Sequence, residues 1–288
     1  MPQQDLYENL VLDSGELPIH FSVDHYDHES LITIPHWHEH LEIHYIAKGG
    51  ADFYLERRLI PVSEGDLLIV NCNELHTAIS KQHPYEALVI IFDIIELSDA
   101  LAKKNYIFLN HARADDCVRD LFLRIFQEIT AQHIGYKQLC RALVTELFVT
   151  LCRNYVVQSL PERVNESRKK NLERLNTVLN YLENHSELPL TVKQLADIAC
   201  LSEDRFGHLF RDCVGKPPLQ YMNELRLRKA LSLLKAGEHS VTEVSRIVGF
   251  KDYNHFGRLF RRCYGCTPNA VRLGKVEPRI PNDEEIPI

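Results

Sequence analysis

The chain has 288 residues, more than one typical domain of about 100–200, and its 45% hydrophobic content suffices for ordinary cores, so we expect two folded units. No run reaches the roughly 18–20 apolar residues of a membrane helix, and the first residues lack the basic-then-apolar layout of a signal peptide, so we expect a cytoplasmic protein without membrane partners. The net charge of -7 conceals a split: residues 1–167 carry 13 basic and 25 acidic side chains, whereas residues 168–274 carry 18 and 11, so nucleic-acid binding by the second part is not excluded.

Strands joined by turns are predicted from about Ile19 to Asp93. Apolar and polar residues alternate with period two, as in residues 41–46 and 51–55. Turn-forming residues punctuate this pattern at Pro35, Gly49-Gly50, Pro61, Gly65-Asp66 and Asn71 to Asn73. Short strands at such spacing predict a sandwich or a barrel.

Four polar side chains alternate along one predicted strand region. His36, His38, His40 and Glu42 all point to one side, so one barrel interior can receive them. Two or three imidazoles with one carboxylate suit a first-row divalent metal.

The same side chains also suit a pocket without metal. In that alternative His36, His38 and Glu42 are hydrogen-bond partners of a small-molecule ligand, and Trp37 and Tyr45 supply apolar or stacking surface. Both alternatives stay open from these residues.

Two helices follow the strands. Apolar residues fall four apart at Cys117, Leu121, Ile125 and Ile129, and again at Leu139, Leu143, Leu147 and Leu151. This surface exceeds what one small barrel covers, so we expect the helices to mediate homodimerisation. Most of the eight cysteines lie in apolar helical patterns, and we assign no disulfides; Cys263 and Cys266 form a CxxC that we interpret as packing rather than as a zinc site.

Changes of pattern divide the chain into four parts. Residues 158–170 are polar, contain a proline and are predicted to be a linker. We therefore expect a first domain at 1–157, which contains the strands and the two dimerisation helices, a helical domain at 171–273 and a disordered acidic tail at 274–288.

An internal repeat organises the helical domain. Phe206–Gly215 recurs fifty positions later as Phe256–Gly265, and each copy follows a short helix with its own start signal, at Thr191 and Ser240. Ser202 and Asp252 are the predicted caps of the second helices, and Leu195, Ala196 and Ala199, with Val244, Ile247 and Val248, are the predicted inner faces. Two helix-turn-helix units in tandem are therefore predicted.

Polar and small residues on the outer faces of the second helices are free to enter a DNA groove. They are Asp204, Gly207, His208, Arg211, Tyr253, Asn254, Gly257, Arg258 and Arg261. Arginine pairs with guanine and asparagine with adenine, and glycine lets a helix approach closely. The alternative, that these amphipathic helices simply pack, does not explain the repeat, the caps and the basic excess together.

Residues 171–273 resemble the AraC/XylS family of transcription regulators. The resemblance rests on Leu195-Ala196, Phe206 to Phe210, Gly215, Pro218, Tyr221, Arg226-Leu227, Ala230, Leu233-Leu234, Ile247, Gly249-Phe250, Phe256, Phe260, Gly265, Pro268 and Arg272. Val271 departs from the aromatic residue that is frequent there. The resemblance implies that a long helix, about Pro218 to Lys235, joins both units so that they read two half-sites about one turn, roughly 10 base pairs, apart on double-stranded DNA.

The histidine-rich segment resembles the cupin barrel. His36, His38, Glu42 and Gly49 fit its first motif and His76 its second, in which Asn71, Asn73 and Ser80 replace the usual residues. The resemblance implies an effector domain whose binding residues are His36, Trp37, His38, His40, Glu42, Tyr45 and His76. A divalent metal is implied as a cofactor at His36, His38, Glu42 and His76.

The sequence therefore predicts an α+β protein: a cupin-like β-barrel with a two-helix dimerisation segment, then an all-α tandem helix-turn-helix domain. Its predicted function is transcription regulation, more by activation through RNA polymerase than by repression, in response to an effector that family frequency suggests is a carbohydrate. No nucleophile–base pair, phosphate loop or Rossmann glycine pattern predicts an enzyme. The alternatives are a metal-dependent cupin enzyme or metal sensor fused to a DNA-binding module, and a barrel that only dimerises.

Overall fold

The computed structural model describes residues 6–8, 10, 12 and 17–279. The chain divides into two compact units between Leu172 and Glu173. None of the helices in the described part combines the length and apolar character of a membrane span.

Antiparallel strands dominate the N-terminal unit, with helices after them. In chain order its elements are β1 (Ile19–Tyr26), β2 (Leu31–His36), β3 (Leu41–Leu55), β4 (Arg58–Ser63), β5 (Asp66–Val70), β6 (His76–Phe92), α1 (Ile94–Leu97), α2 (Asp99–Ala102), β7 (Tyr106–Phe108), β8 (His111–Arg113), α3 (Asp116–Ala131), α4 (Tyr136–Asn154), β9 (Val156–Ser159) and the start of α5 (Glu162–His185).

Strands β3 and β6 are the two central, longest strands of the main sheet, and they pair along their whole length from Leu41↔Phe92 to Leu55↔His76. The strand order is β1-β6-β3-β5-β8, with β2 also on β6 and β4 also on β3. Among the described residues β1 and β8 are the ends of this path, so the predicted barrel is a folded sheet that its strand pairing does not close.

Gly49 and Gly50, predicted as a turn between strands, instead mark a bend inside β3. The register shifts between Ile46 and Ala51, as expected of β-bulges. Gly49 has φ +71°, and a Cβ there would lie 2.3 Å from the Gln82 carbonyl oxygen, so only glycine fits without strain. The bend lets both halves of the sheet share one inner core, which contains Phe53 and Val89.

Period-two alternation sends successive residues of β3 to different cores. Leu41 and Ile43 pack outward, where α3 and α4 cover the sheet, and Tyr45 packs there with them. Glu42, His44 and Ile46 alternate with these residues and are buried on the inner side. Glu42 therefore faces the interior, away from the helices.

The prediction that residues 158–170 form an irregular linker is wrong, because β9 extends to Ser159 and α5 begins at Glu162. Pro161 precedes the first helical residue, a place where proline starts helices rather than ending them, and the following Glu, Arg and Lys residues favour helix. Arg168 and Lys169 form ion pairs with Glu56 and Glu39 of the same unit.

The C-terminal unit is entirely helical in its described part. After the remainder of α5 it contains α6 (Val192–Ile198), α7 (Glu203–Val214), α8 (Pro218–Ala236), α9 (Val241–Ile247), α10 (Tyr253–Tyr264) and α11 (Pro268–Arg272). Aromatic side chains of α10 pack with α8 and α9 in one cluster, which Cys263 and Cys266 adjoin. The predicted inward position of Ile247 is wrong, since this last residue of α9 is 47% exposed.

The predicted tail begins where α11 ends. Residues 274–279 contain no helix or strand, and the Arg279 N–H donates to the Tyr264 carbonyl. The rest of that prediction, residues 280–288, lies outside the described residues.

Candidate DNA interface and histidine cluster

The first helix-turn-helix unit consists of α6 and α7. Thr191 begins α6 in a capping box, in which its hydroxyl accepts from the Gln194 N–H and the Gln194 side chain accepts from the Thr191 N–H. Ser202 begins α7, and its hydroxyl accepts from the Arg205 N–H. Both predicted start signals act as predicted.

The second unit, α9 and α10, repeats this arrangement with different residues. Ser240 and Glu243 form the capping box of α9. The Asp252 carboxylate caps α10 and accepts from the N–H groups of Asn254 and His255 at 2.7 and 3.2 Å. The second cap is therefore charged, whereas Ser202 is neutral.

Helices α7 and α10 have the same burial class at each of their 12 positions. Every fourth residue is buried: Phe206, Phe210 and Val214 in α7, and Phe256, Phe260 and Tyr264 in α10. Both helices end at a glycine with positive φ, Gly215 and Gly265. The opposite face of each helix is consequently exposed.

Predicted DNA-contacting residues occupy the outward face of α7. The Asp204 side chain is 92% exposed, and its carboxylate lies 3.6 Å from His208 Nε2. Gly207 and Arg211 lie beside them and complete one wall of an open cleft of about 460 Å³.

The corresponding face of α10 is more basic. Tyr253, Asn254, Arg258 and Arg261 are exposed, and Gly257 is half-buried among them. A Cβ at Gly257, like one at Gly207 in α7, would meet no atom within 4 Å. Packing within the described residues therefore gives no reason for glycine at either position.

In the N-terminal unit the structure gathers His36, His38, Glu42 and His76, which we call the histidine cluster. All four residues are buried, and each offers a ligand atom within 4.8 Å of the other three. Glu42 Oε2 lies 2.8 Å from His38 Nε2 and 3.2 Å from His76 Nε2. Strand pairing of His36 with His76 brings their ring centroids to 4.1 Å.

Backbone carbonyls orient all three imidazoles of the histidine cluster. The Nδ1 atoms of His36, His38 and His76 lie 2.9, 3.2 and 2.9 Å from carbonyl oxygens of residues 34, 40 and 74. Such contacts fix the orientation of each ring so that its Nε2 atom faces the cluster, as in metal-binding histidines. His76 Nε2 is buried, and its 3.2 Å contact with Glu42 Oε2 lacks hydrogen-bond geometry.

Two neighbours of the histidine cluster were not predicted. His44 Nε2 lies 2.7 Å from Glu42 Oε1, and its place two residues along β3 is the signal that identifies it. Glu8 Oε2 lies 3.2 Å from His36 Nε2, because an isolated bridge pairs Tyr7 with Trp37. No sequence pattern indicates that second contact.

Burial and charge act against each other in the histidine cluster. Burial alone raises the pKa of Glu42, but His76 and His44 outweigh it and hold that pKa well below its usual value. Burial lowers the pKa of His76 to about 4, although Glu42 opposes the shift. For His36, burial is outweighed by Glu8 and Glu42, so its pKa is raised.

The two asparagines that depart from the cupin motif fit the local backbone and its hydrogen bonds. Asn73, which stands where that motif has glycine, adopts φ +58°, a left-handed conformation that asparagine tolerates better than most residues. Its N–H donates to the His38 carbonyl at 2.8 Å. The Asn71 side chain bonds Glu74 and the Phe108 backbone, so it positions the loop before His76.

Three predicted effector residues lie apart from the histidine cluster. The His40 ring centroid is 6.1 Å from that of His38, and burial lowers the pKa of His40. Trp37 alternates with the cluster histidines and packs against Tyr7, with centroids 4.7 Å apart. Tyr45 packs on Phe122 of α3, so the prediction that it lines an interior pocket is wrong.

Relatives of the chain by sequence are transcription regulators. It is 27% identical over 256 residues to the uncharacterised HTH-type transcriptional regulator YdeC of Bacillus subtilis strain 168, covering 82% of this chain and 85% of that protein. It is 32% identical over 158 residues to the HTH-type transcriptional activator RhaS of Escherichia fergusonii, covering 55% of this chain and 54% of RhaS. The chain thus aligns with about half of RhaS.

Solved structures give more distant likenesses. The DNA-binding domain of AdpA in complex with a target DNA is 32% identical, with a TM-score of 0.34 over 35% of this chain and 91% of that one. ToxT from Vibrio cholerae is 9% identical, with a TM-score of 0.42 over 89% of this chain and 98% of that one.

Two family models account for both units. The AraC-like ligand-binding domain matches residues 20–148, which contain the histidine cluster, and a helix-turn-helix domain matches residues 195–274, which contain α7 and α10. The chain therefore belongs to the AraC family of transcription regulators, with an effector-binding N-terminal domain and a DNA-binding helix-turn-helix domain.

Proposed function

We propose that this regulator activates transcription in response to a small molecule bound at the histidine cluster, where His36, His38, Glu42 and His76 hold a first-row divalent metal ion. The observation that carries the proposal is the set of four buried ligand atoms within 4.8 Å of one another. One of them, His76 Nε2, contacts Glu42 Oε2 at 3.2 Å without hydrogen-bond geometry. A buried polar atom without a well-aligned hydrogen bond is costly, and a bound metal ion would remove that cost.

The donor set fits such an ion chemically. Imidazole and carboxylate ligands bind zinc-like ions at about 2.0–2.2 Å, so two ligand atoms of one ion lie at most about 4 Å apart. The four ligand atoms here lie within 4.8 Å of one another, so a small movement brings them all within that range. When bound, the ion supplies a Lewis-acid position for an oxygen or nitrogen of the effector. Glu8, beside His36, is a further carboxylate within reach.

The effector class that we place first is a carbohydrate. Its hydroxyl groups suit both an ion and the surrounding imidazoles, and the polar side chains named above are the groups that would bind them. Trp37 and Tyr45 are left out of this pocket, because they pack on Tyr7 and Phe122.

Metal content of the purified full chain tests the site directly. After chelator treatment and titration with zinc, manganese and nickel salts, we expect one ion per chain, and at least tenfold weaker binding by His76→Gln. His25→Gln is the matched control, because His25 also contacts carboxylates but is half exposed on β1. Absence of bound metal, or unchanged binding by His76→Gln, contradicts the proposal.

Activation at paired half-sites is the second part of the proposal. RhaS is named an activator, and two recognition helices suit half-sites about one turn, roughly 10 base pairs, apart. The protein should retain such fragments from a genomic library, sequenced with and without metal and a carbohydrate panel. Retention without any shared sequence contradicts specific recognition. Activation further requires contact with RNA polymerase, which a transcription assay on a retained fragment measures.

A homodimer is supported by apolar residues that α3, α4 and the turn between them leave exposed. Leu123, Phe126, Ile134 and Leu139 are between 36% and 106% exposed. Such a surface is typical of an interface. Sedimentation at micromolar concentration should give twice the chain mass, and a monomeric mass contradicts dimerisation.

The second candidate function is a metal sensor or a metal-dependent enzyme fused to the DNA-binding domain, and the same cluster favours it. Metal alone changes DNA affinity in a sensor, whereas an enzyme turns over substrate. We propose that the chain is not an enzyme and that it works in the cytoplasm. Turnover of a substrate by the metal-loaded protein contradicts the first statement.

A further inference from the structure

The two helix-turn-helix repeats touch each other directly, in addition to being joined by α8. Gly249 lies in the turn between α9 and α10 with φ +90°. A Cβ there would lie 2.2 Å from the carbonyl oxygen of Glu187, in the loop that leads into α6. Backbone therefore packs against backbone where the second repeat meets the first.

Arg226 of α8 holds this contact together. Its side chain is buried, with Nε donating to the Ser186 carbonyl at 2.6 Å and Nη2 to the Leu188 carbonyl at 2.8 Å. Those two carbonyls flank Glu187. The guanidinium carbon lies 5.6 Å from the ring centroid of Phe250, the residue after Gly249. We call the contact of Gly249 and Phe250 with residues 186–188 the junction. Arg226 thus contacts both sides of the junction.

The junction is linked closely to the recognition helices. Phe250 packs on Phe256 of α10, with ring centroids 5.2 Å apart. On the other side, Lys229 Nζ donates to the Glu183 carbonyl and to Ser186 Oγ at 2.7 and 2.8 Å, which fixes the loop before α6 to α8. Movement of the loop before α6 relative to α8 would therefore break charge-assisted hydrogen bonds of a buried arginine, and movement of α10 would separate Phe250 from Arg226.

We propose that Arg226, together with Gly249, sets the distance and rotation between the two recognition helices, so that the protein accepts one spacing between half-sites. The connection through α8 alone ends in a turn at each side, at Gly215 and Gly237, where the chain can pivot. Each added base pair moves a half-site by about 3.4 Å and about 35°, so a fixed junction cannot follow the change whereas a loosened one can. Arg226 is a positioning residue in this proposal and does not contact DNA.

Spacing preference is the readout, because a purely structural role would not move it. A bipartite duplex selected by the wild-type protein from a random library is compared with derivatives carrying one inserted base pair, one deleted base pair, or a scrambled second half-site. Fluorescence anisotropy gives the dissociation constants for wild-type protein, Arg226→Met and Arg226→Lys. Lysine keeps the charge but cannot bond both carbonyls in the same fork. Arg228→Met is the matched control, since Arg228 lies on the same helix, is half exposed and forms an ion pair with Glu183 at 3.4 Å.

Wild-type protein and Arg228→Met should lose about tenfold or more in affinity when the spacing changes by one base pair. Arg226→Met should bind the parent duplex about tenfold more weakly, lose at most about threefold further on the altered spacings, and bind the scrambled duplex as wild type does. Equal weakening on all four duplexes means that Arg226 only stabilises the fold, and indifference of the wild type to spacing also overturns the proposal. If Arg226→Met does not fold, Arg226→Lys decides: a wild-type spacing profile at full affinity overturns it.

Discussion

The two recognition helices are alike where they pack and different where they face outward. Their burial classes agree at all 12 positions, yet the exposed residues at equivalent positions are Asp204 and Asn254, His208 and Arg258, and Arg211 and Arg261. Packing therefore constrains every fourth residue, while the outward positions are free to vary. Because α10 carries more positive charge, we expect it to supply more of the affinity for DNA and α7 more of the selectivity.

The largest expected effect comes from Arg258. Arg258→Ala should weaken binding to the selected duplex about tenfold to a hundredfold, because one arginine contact to a base is worth about 1–3 kcal/mol. His208→Ala, at the equivalent position of α7, should cost less. Anisotropy titrations at several salt concentrations measure both, and a larger loss for His208→Ala would reverse the division of roles.

The second-largest expected effect on DNA affinity comes from replacing the glycine on the outward face of a recognition helix. Gly257→Ala should raise the thermal unfolding midpoint or leave it unchanged, because the new Cβ meets no atom within 4 Å and alanine favours helix by about 1 kcal/mol. The same variant should bind DNA several-fold more weakly, since the added methyl group keeps α10 from the groove. Gly207→Ala is the counterpart in α7. Unchanged affinity in both variants would show that neither helix approaches DNA at this position.

Asp204 should change selectivity more than affinity. A carboxylate near phosphates is unfavourable unless it accepts from a cytosine amino group or from a neighbour such as His208, 3.6 Å away. Asp204→Ala should therefore alter the preferred first half-site while leaving binding to unrelated duplexes within about threefold. Selection from a random library by wild type and variant measures this, with Asn254→Ala for comparison. Equal weakening on all sequences would contradict the assignment.

The helical domain was predictable because its signals are local and occur twice. Helical periodicity and caps such as Ser202 and Asp252 depend on residues within a few turns, and the repeat at fixed spacing shows both signals twice. The error at Ile247 came from treating each apolar residue as inward; α9 ends there, and Val244 and Ser245 fill the buried face instead. The linker error came from reading polarity as irregular structure, although charged residues form the exposed first turns of α5 well.

The histidine site was predictable only in part. Alternation brought His36, His38 and Glu42 to one face, and the same rule places Tyr45 on the opposite side, where it packs on α3. Glu8 could not be found from the sequence, because its contact with His36 depends on a bridge between residues thirty positions apart. Non-local pairing of this kind leaves no periodic trace.

The smallest expected effect concerns the N-terminal caps of the two recognition helices, because only the cap of α10 can titrate. The pKa of Asp252 lies below its ordinary value because the N–H groups of His255 and Asn254 donate to it, with Arg258 and His255 adding favourable charge. The cap therefore stabilises α10 fully above the ordinary carboxyl pKa of about 3.9, and this contribution is lost as the pH falls through the lowered value. Ser202 does not titrate, so α7 should keep its cap.

Backbone amide chemical shifts of the 15N-labelled full chain, followed from pH 6 to pH 3, test this difference. The amides of Asn254 and His255 should titrate together below the ordinary carboxyl range, whereas that of Arg205, which donates to Ser202, should not follow them. Asp252→Asn is the control, since asparagine caps helices about as well but does not ionise. If the amides of α10 still titrate in Asp252→Asn, another group is responsible, and the caps do not distinguish the two recognition helices.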